Sequence, residues 1–143
     1  MHPRINLITL GVSDLKRSIE FYEKGLGWKR SEESNDSVAF FQIGALVFGL
    51  FGEEALAEDI GIPFQKRQKF SGITLAQNQI SEAEVDAVIE KVRALGAEIL
   101  KEPTKVFWGG YSAYFKDFDG HIFEVAYNPF FPLNENGEIV LSK

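Results

Sequence analysis

The order of elements repeats along this chain, and that repeat constrains the fold more than any single motif. Ile5 to Val12 is an apolar run bounded by Pro3 and Ser13-Asp14, which predicts a strand. From Leu15 the period changes. Leu15, Ile19, Tyr22 and Leu26 share one helical face, Phe21 lies beside it, and Gly25 and Gly27 end it. Strand-like segments follow around Trp28 to Glu32, at Val38 to Ile43 and at Leu46 to Phe51, with Asn35-Asp36 and Gly44 at the turns. The second half has the same order. Ile73-Thr74-Leu75 echoes Ile8-Thr9-Leu10 at an offset of 65. A helix opens at Ser81 with Glu84 three residues on, a capping-box pair, and its apolar face is Val85, Val88, Ile89, Val92 and Leu95 before Gly96. Leu26-Gly27 and Leu95-Gly96 correspond at an offset of 69, which predicts a longer strand-to-helix loop, Ala76 to Ile80. Strands are then predicted at Glu98 to Leu100, running on toward Val106 across Pro103, at Tyr111 to Lys116 and at Ile122 to Tyr127.

One strand–helix–three-strand unit cannot cover both faces of its own sheet, whereas two side by side can. The expected class is therefore α+β. Two tandem βαβββ modules would form a curved mixed sheet, helices covering its convex face and a concave face left for a ligand. Module 1 is expected over about 5–52, a linker over 53–69, module 2 over about 70–128 and a C-terminal tail over 129–143, all within one domain of 143 residues. In the linker, Glu53 to Glu58 predicts a short surface helix, broken by Gly61 and Pro63, and Lys66-Arg67-Gln68-Lys69 reads as a solvated basic run. The tail segment Pro129-Phe130-Phe131-Pro132 is too apolar to stay in solvent, and Asn136-Gly137 should turn the chain into Glu138 to Leu141.

Composition removes several classes of function. Fifteen Lys and Arg stand against 21 Asp and Glu, a net charge of −6 with no long basic block, which disfavours nucleic acid and anionic membranes as partners. The absence of Cys excludes disulfides, thiolate zinc sites and cysteine nucleophiles. No stretch approaches the roughly 20 apolar residues that span a bilayer, and no signal peptide is evident, so a cytoplasmic location is expected. Thirteen Phe imply an aromatic core or an aromatic-lined pocket.

Strand alternation nominates the site. In the last strand Phe123 and Val125 belong against a helix, which aims Glu124 at the other face. Asp119-Gly120 predicts a tight hairpin turn, since the pair tolerates positive φ. Phe115 then matches the core, and Ser112 and Tyr114 join Glu124 on the concave side. A carboxylate beside a phenol and a hydroxyl is a candidate acid, base, metal ligand or hydrogen-bond anchor. The alternative is an exposed charge on a sheet edge. Phe107, Trp108, Tyr111, Tyr114 and Tyr127 form a candidate aromatic cluster at the mouth, with core packing the alternative, above all for Phe107 and Trp108. The candidate ligand-binding set is Ser112, Tyr114, Glu124, Trp108 and Tyr111, with Glu124 the catalytic candidate.

The run Trp108-Gly109-Gly110-Tyr111-Ser112-Ala113-Tyr114-Phe115-Lys116-Asp117-Phe118-Asp119-Gly120-His121-Ile122-Phe123-Glu124-Val125-Ala126-Tyr127-Asn128-Pro129 resembles the C-terminal signature of the vicinal oxygen chelate superfamily. Its members include glyoxalase I, bleomycin-resistance proteins, fosfomycin-resistance thiol transferases and extradiol dioxygenases. Ile8-Thr9-Leu10-Gly11-Val12-Ser13-Asp14-Leu15, then Phe21-Tyr22 and Leu26-Gly27, is similar to that superfamily's first module. The resemblance implies a divalent metal held by His or Glu from the first strand of each module and Glu from the last. Carried over, those positions fall on or near Leu7, Gly49 and Gly72, none of them a ligand, and on Glu124. One carboxylate is too few for a metal site. Neither His2, near the N-terminal end, nor His121, on the opposite parity and beside the turn, is a partner for Glu124, so no metal or cofactor is expected.

Two readings follow. One is a metal-free protein, similar to the bleomycin-resistance branch, that binds a small organic molecule in an aromatic-lined pocket. The other is an enzyme of the glyoxalase (lyase) or dioxygenase kind, with Glu124 as a base or part of an atypical metal site. Both imply a homodimer, because each module leaves a free sheet edge and the family is usually dimeric.

Overall fold

Alternating apolar residues set up a sheet in each half of the chain. The computed structural model describes residues 5–66, 70–71 and 73–141. It divides into two compact units, Met1–Lys69 and Phe70–Lys143, so the expected linker belongs to the first unit. In that unit β1 (Leu7–Val12) runs parallel to β3 (Leu46–Gly52), which pairs antiparallel with β2 (Val38–Ile43), in the order β1-β3-β2. Leu10 and Val12 share a face with Phe48, Leu50, Ala39 and Phe41, and that face is the core.

The segment after β1 covers this face. α1 (Leu15–Ile19) is capped by Asp14, whose carboxylate accepts the Arg17 amide at 3.0 Å. The predicted single helix then changes character, widening into a π-helical turn over Glu20–Gly25. Phe21 and Tyr22, adjacent in sequence, are both buried there. The Tyr22 ring centroid lies 5.1–6.3 Å from those of Phe21, Trp28, Phe41 and Phe48. The strand expected around Trp28 to Glu32 shrinks to one bridge, Arg30 to Phe41, because Trp28 turns its ring into this cluster instead. The predicted surface helix is α2 (Glu53–Ile60), ended by Gly61 at φ +81°. It lies close to β1 at Gly11, where an added β-carbon would sit 3.2 Å from Glu53 Cβ.

In the second unit β4 (Leu75–Asn78) runs parallel to β7 (Ile122–Tyr127). β6 (Tyr111–Lys116) and β5 (Glu98–Lys105) follow antiparallel, giving the order β4-β7-β6-β5. β4 begins where the repeat predicted a strand to end, and most of the expected loop is strand. The register of Leu75–Asn78 against Phe123–Ala126 holds it, and the Gln79 amide adds a bond to the Ala126 carbonyl at 2.7 Å. α3 (Glu82–Ala94) buries Val85, Ile89 and Val92, and Ala113, Phe115, Phe123 and Val125 share one buried face of the sheet beside it. The Phe115 and Phe123 rings stack at 5.1 Å.

The capping box is shifted by one residue. Ser81 Oγ accepts the Glu84 amide at 3.2 Å, while the Glu84 carboxylate accepts from Ile80 rather than Ser81. Ser81→Ala should lower the unfolding free energy by about 1 kcal/mol in a urea titration. No loss would mean that solvent caps the helix equally well.

The β6–β7 connection is longer than the predicted two-residue turn. The Asp117 carboxylate accepts the Asp119 and His121 amides at 2.9 Å each, and in this turn only Gly120 has positive φ. β5 continues through Pro103, an edge-strand position between register shifts where a missing donor is tolerated. In the tail Gly137 turns the chain, and Leu133 bridges Ile139 without a strand forming. No helix among the described residues is long and apolar enough to cross a membrane.

Candidate functional site on the second sheet

The second unit has one sheet face toward α3 and one away from it, and register assigns each side chain. Tyr114 pairs with Glu124 and Ser112 with Ala126, on the opposite parity from Phe115 and Phe123. Ser112, Tyr114 and Glu124 therefore share the face away from α3, as alternation predicted. Asn78, opposite Ala126 on β4, and Thr104, opposite Ser112 on β5, lie in the same row. Lys101 stands across from Tyr114 on the other side, with Nζ 5.9 Å from the ring centroid.

Tyr114 stands directly across from Glu124 in the β6–β7 register. Burial holds the Tyr114 proton above its usual range, and the nearby Glu124 carboxylate adds to the effect. Tyr111 shifts the same way, mainly because its hydroxyl donates to Asp86. An unfolded chain with ordinary tyrosines releases these protons first. Stability should therefore be indifferent to both groups below about pH 10 and fall as pH rises past it. Urea midpoints between pH 9 and 11 should fall less steeply in Tyr114→Phe, and an unchanged slope would contradict the assignment.

The other four aromatics of the candidate cluster are placed differently. Tyr111 has the parity of Ala113, and its hydroxyl reaches Asp86 Oδ1 of α3 at 2.8 Å, so the structure does not bring it to Tyr114 and Glu124. Tyr127, its partner in register, shares that face. Phe107, a candidate for the mouth cluster with core packing the alternative, is fully exposed at the β5–β6 turn, where the Gly109 amide bonds the Val106 carbonyl. Trp108 folds back over Gly110, and a side chain at Gly110 would displace the indole. His121 sits in the Asp117 turn through its backbone amide. His2, Gly72 and, of the basic run Lys66-Arg67-Gln68-Lys69, the last three residues lie outside the described residues.

Lys101, Asn78 and Thr104 escaped sequence reasoning. For Lys101 and Thr104 the register shifts of β5 decide the face, and only its pairing with β6 reveals them.

Among the described residues a metal-holding donor set does not assemble. Leu7 and Gly49 lie on the face of the first sheet away from α1, as the carried-over pattern requires, but have no ligand atom. The pairing of Gly11 with Phe51 matches that of Ala76 with Glu124, so Phe51 is the counterpart of Glu124 by register. It is no ligand either. Among the described residues no group of three or more His, Cys, Asp and Glu could hold an ion. The residues present do not fit the metal that the resemblance implies.

The family model of the Glyoxalase/Bleomycin resistance protein/Dioxygenase superfamily matches residues 4–125. The chain belongs to this superfamily. It is 32% identical over 124 residues to the fosfomycin resistance protein FosX of Listeria innocua, covering 82% of this chain and 84% of that one. It is 34% identical over 121 residues to the metallothiol transferase FosB of Staphylococcus saprophyticus, covering 85% and 74%. In structure it is similar to a glyoxalase-related enzyme from Fulvimarina pelagi, with TM-score 0.89, 32% identity and 99% of each chain covered. FosX from Listeria monocytogenes superposes with TM-score 0.66 at 29% identity over 90% of this chain and 93% of that one. The second unit has the full βαβββ order with four paired strands, and the first keeps that order with three, its second strand reduced to the Arg30–Phe41 bridge.

Proposed function

We propose that this superfamily member binds a small organic molecule on the second-sheet face away from α3, without a His-based metal centre. Glu124 and Tyr114 would make the polar contacts, with Ser112, buried in the same row, beside them and Trp108 at the rim. The observation that carries this reading is the Tyr114–Glu124 pair, a carboxylate and a phenol held in register on a face that α3 leaves uncovered. Such a pair costs solvation and is retained where something is recognised. A thermal-shift screen of small molecules, followed by amide chemical-shift mapping, tests it. Hits should perturb Ser112, Tyr114 and Glu124, and perturbations confined to other surfaces would remove the site.

A second reading is an enzyme of the same superfamily with Glu124 as base. The relatives named for fosfomycin resistance and thiol transfer favour it. Turnover of a hit, lost in Glu124→Gln, would select it.

A homodimer belongs to either reading. Among the described residues β1 and β4 each pair on one side only, and Leu7 on β1 is exposed. Light scattering that gives a monomer mass at micromolar concentration would exclude it.

A further inference from the structure

The bulge in β5 sets up a row of three side chains across three strands. Between Phe115 and Tyr114 β6 advances one residue, while β5 advances two, from Ile99 to Lys101. Ile99 pairs on the α3 face, so regular alternation would leave Leu100 beside Tyr114 and turn Lys101 toward the helix. The extra residue reverses this, placing Lys101 in the row Lys101–Tyr114–Glu124. Nearby charges are committed elsewhere. Glu102 binds Arg93 of α3 at 2.7 Å, Lys105 pairs with Glu82 of α3 at 3.8 Å, and Lys116 pairs with Glu98 at 2.8 Å. Among the described residues Lys101 has no carboxylate at ion-pair distance, and its ammonium lies over the Tyr114 ring.

We infer that Lys101 takes the place of a divalent cation as the counter-charge of Glu124, with Tyr114 between them in the row. This rests on the proposed site and deepens it. The superfamily's ligand positions lack donors here, so an unpartnered Glu124 would leave the face with a net negative charge. An ammonium two strands away, over the Tyr114 ring, offsets that charge, and the same ammonium repels a divalent ion approaching the carboxylate. Lys101 is thus a positioning residue that acts on Glu124 across Tyr114.

The test is a cycle on the full chain, with divalent-metal titration beside it. Lys101→Met should lower the urea midpoint in the parent protein and leave it unchanged when Glu124 is already Gln. Lys101→Arg should restore the parent midpoint. Manganese or zinc, added to the purified protein after chelation, should not bind stoichiometrically. Equal effects of Lys101→Met in both backgrounds would overturn the inference, as would one divalent ion per chain that is lost in Glu124→Gln. If Lys101→Met fails to fold, Lys101→Gln carries the same cycle. The ligand screen remains a separate readout. A bound metal would end the counter-charge role while ligand shifts at Ser112 and Tyr114 could still stand, and the reverse outcome is equally readable.

Discussion

Phe41→Ala is expected to destabilise the protein by about 3–5 kcal/mol, at the upper end of what truncating one side chain does. Phe41 is 1% exposed and faces the rings of Tyr22, Trp28 and Phe48. Its removal would leave a cavity walled by rigid rings that cannot collapse around it, so the cavity cost adds to the lost transfer energy. For a chain of this size the melting temperature should fall by roughly 10 °C. The first unit has its own core, so amide exchange should accelerate in β1, β2 and β3 more than in α3 and β7. A loss below about 1 kcal/mol in urea unfolding would mean that the cluster is loosely packed.

The second large effect concerns binding. Glu124→Gln should weaken the ligand that the thermal-shift screen selects by about 10- to 150-fold, the range for losing a hydrogen bond to a charged group. Tyr114→Phe should weaken it less, since the carboxylate remains. Tyr111→Phe should leave affinity unchanged, because its hydroxyl serves Asp86 on the opposite face. Calorimetry on the three variants separates the faces. Equal losses for Tyr111→Phe and Tyr114→Phe would place the ligand elsewhere.

Much of this arrangement was legible in the residues. Period-two alternation put Glu124, Tyr114 and Ser112 together because each is flanked by apolar neighbours that had to face a helix. The stripe of Val85, Ile89 and Val92 marked α3 for the same reason. What stayed hidden is set by pairing across strands rather than by local pattern. Ala76 to Asn78 lack strand character of their own, and only the neighbouring β7 makes them β4. The π turn depends on fitting Phe21 and Tyr22 into one aromatic core, which no single-helix periodicity encodes. Lys101 depends on an unpaired residue upstream, so its own identity and spacing pointed to the wrong face.

That unpaired residue means that the site is written partly in chain length. Two proteins could share every side chain of the row and still differ in where the positive charge lies, if one lacked the extra position in β5. Substitution scanning leaves such a determinant unseen, because no replacement at Leu100 changes the count. Deletions and insertions would expose it, and the charge pattern of this face can therefore shift in one indel without any change in its chemistry-bearing residues.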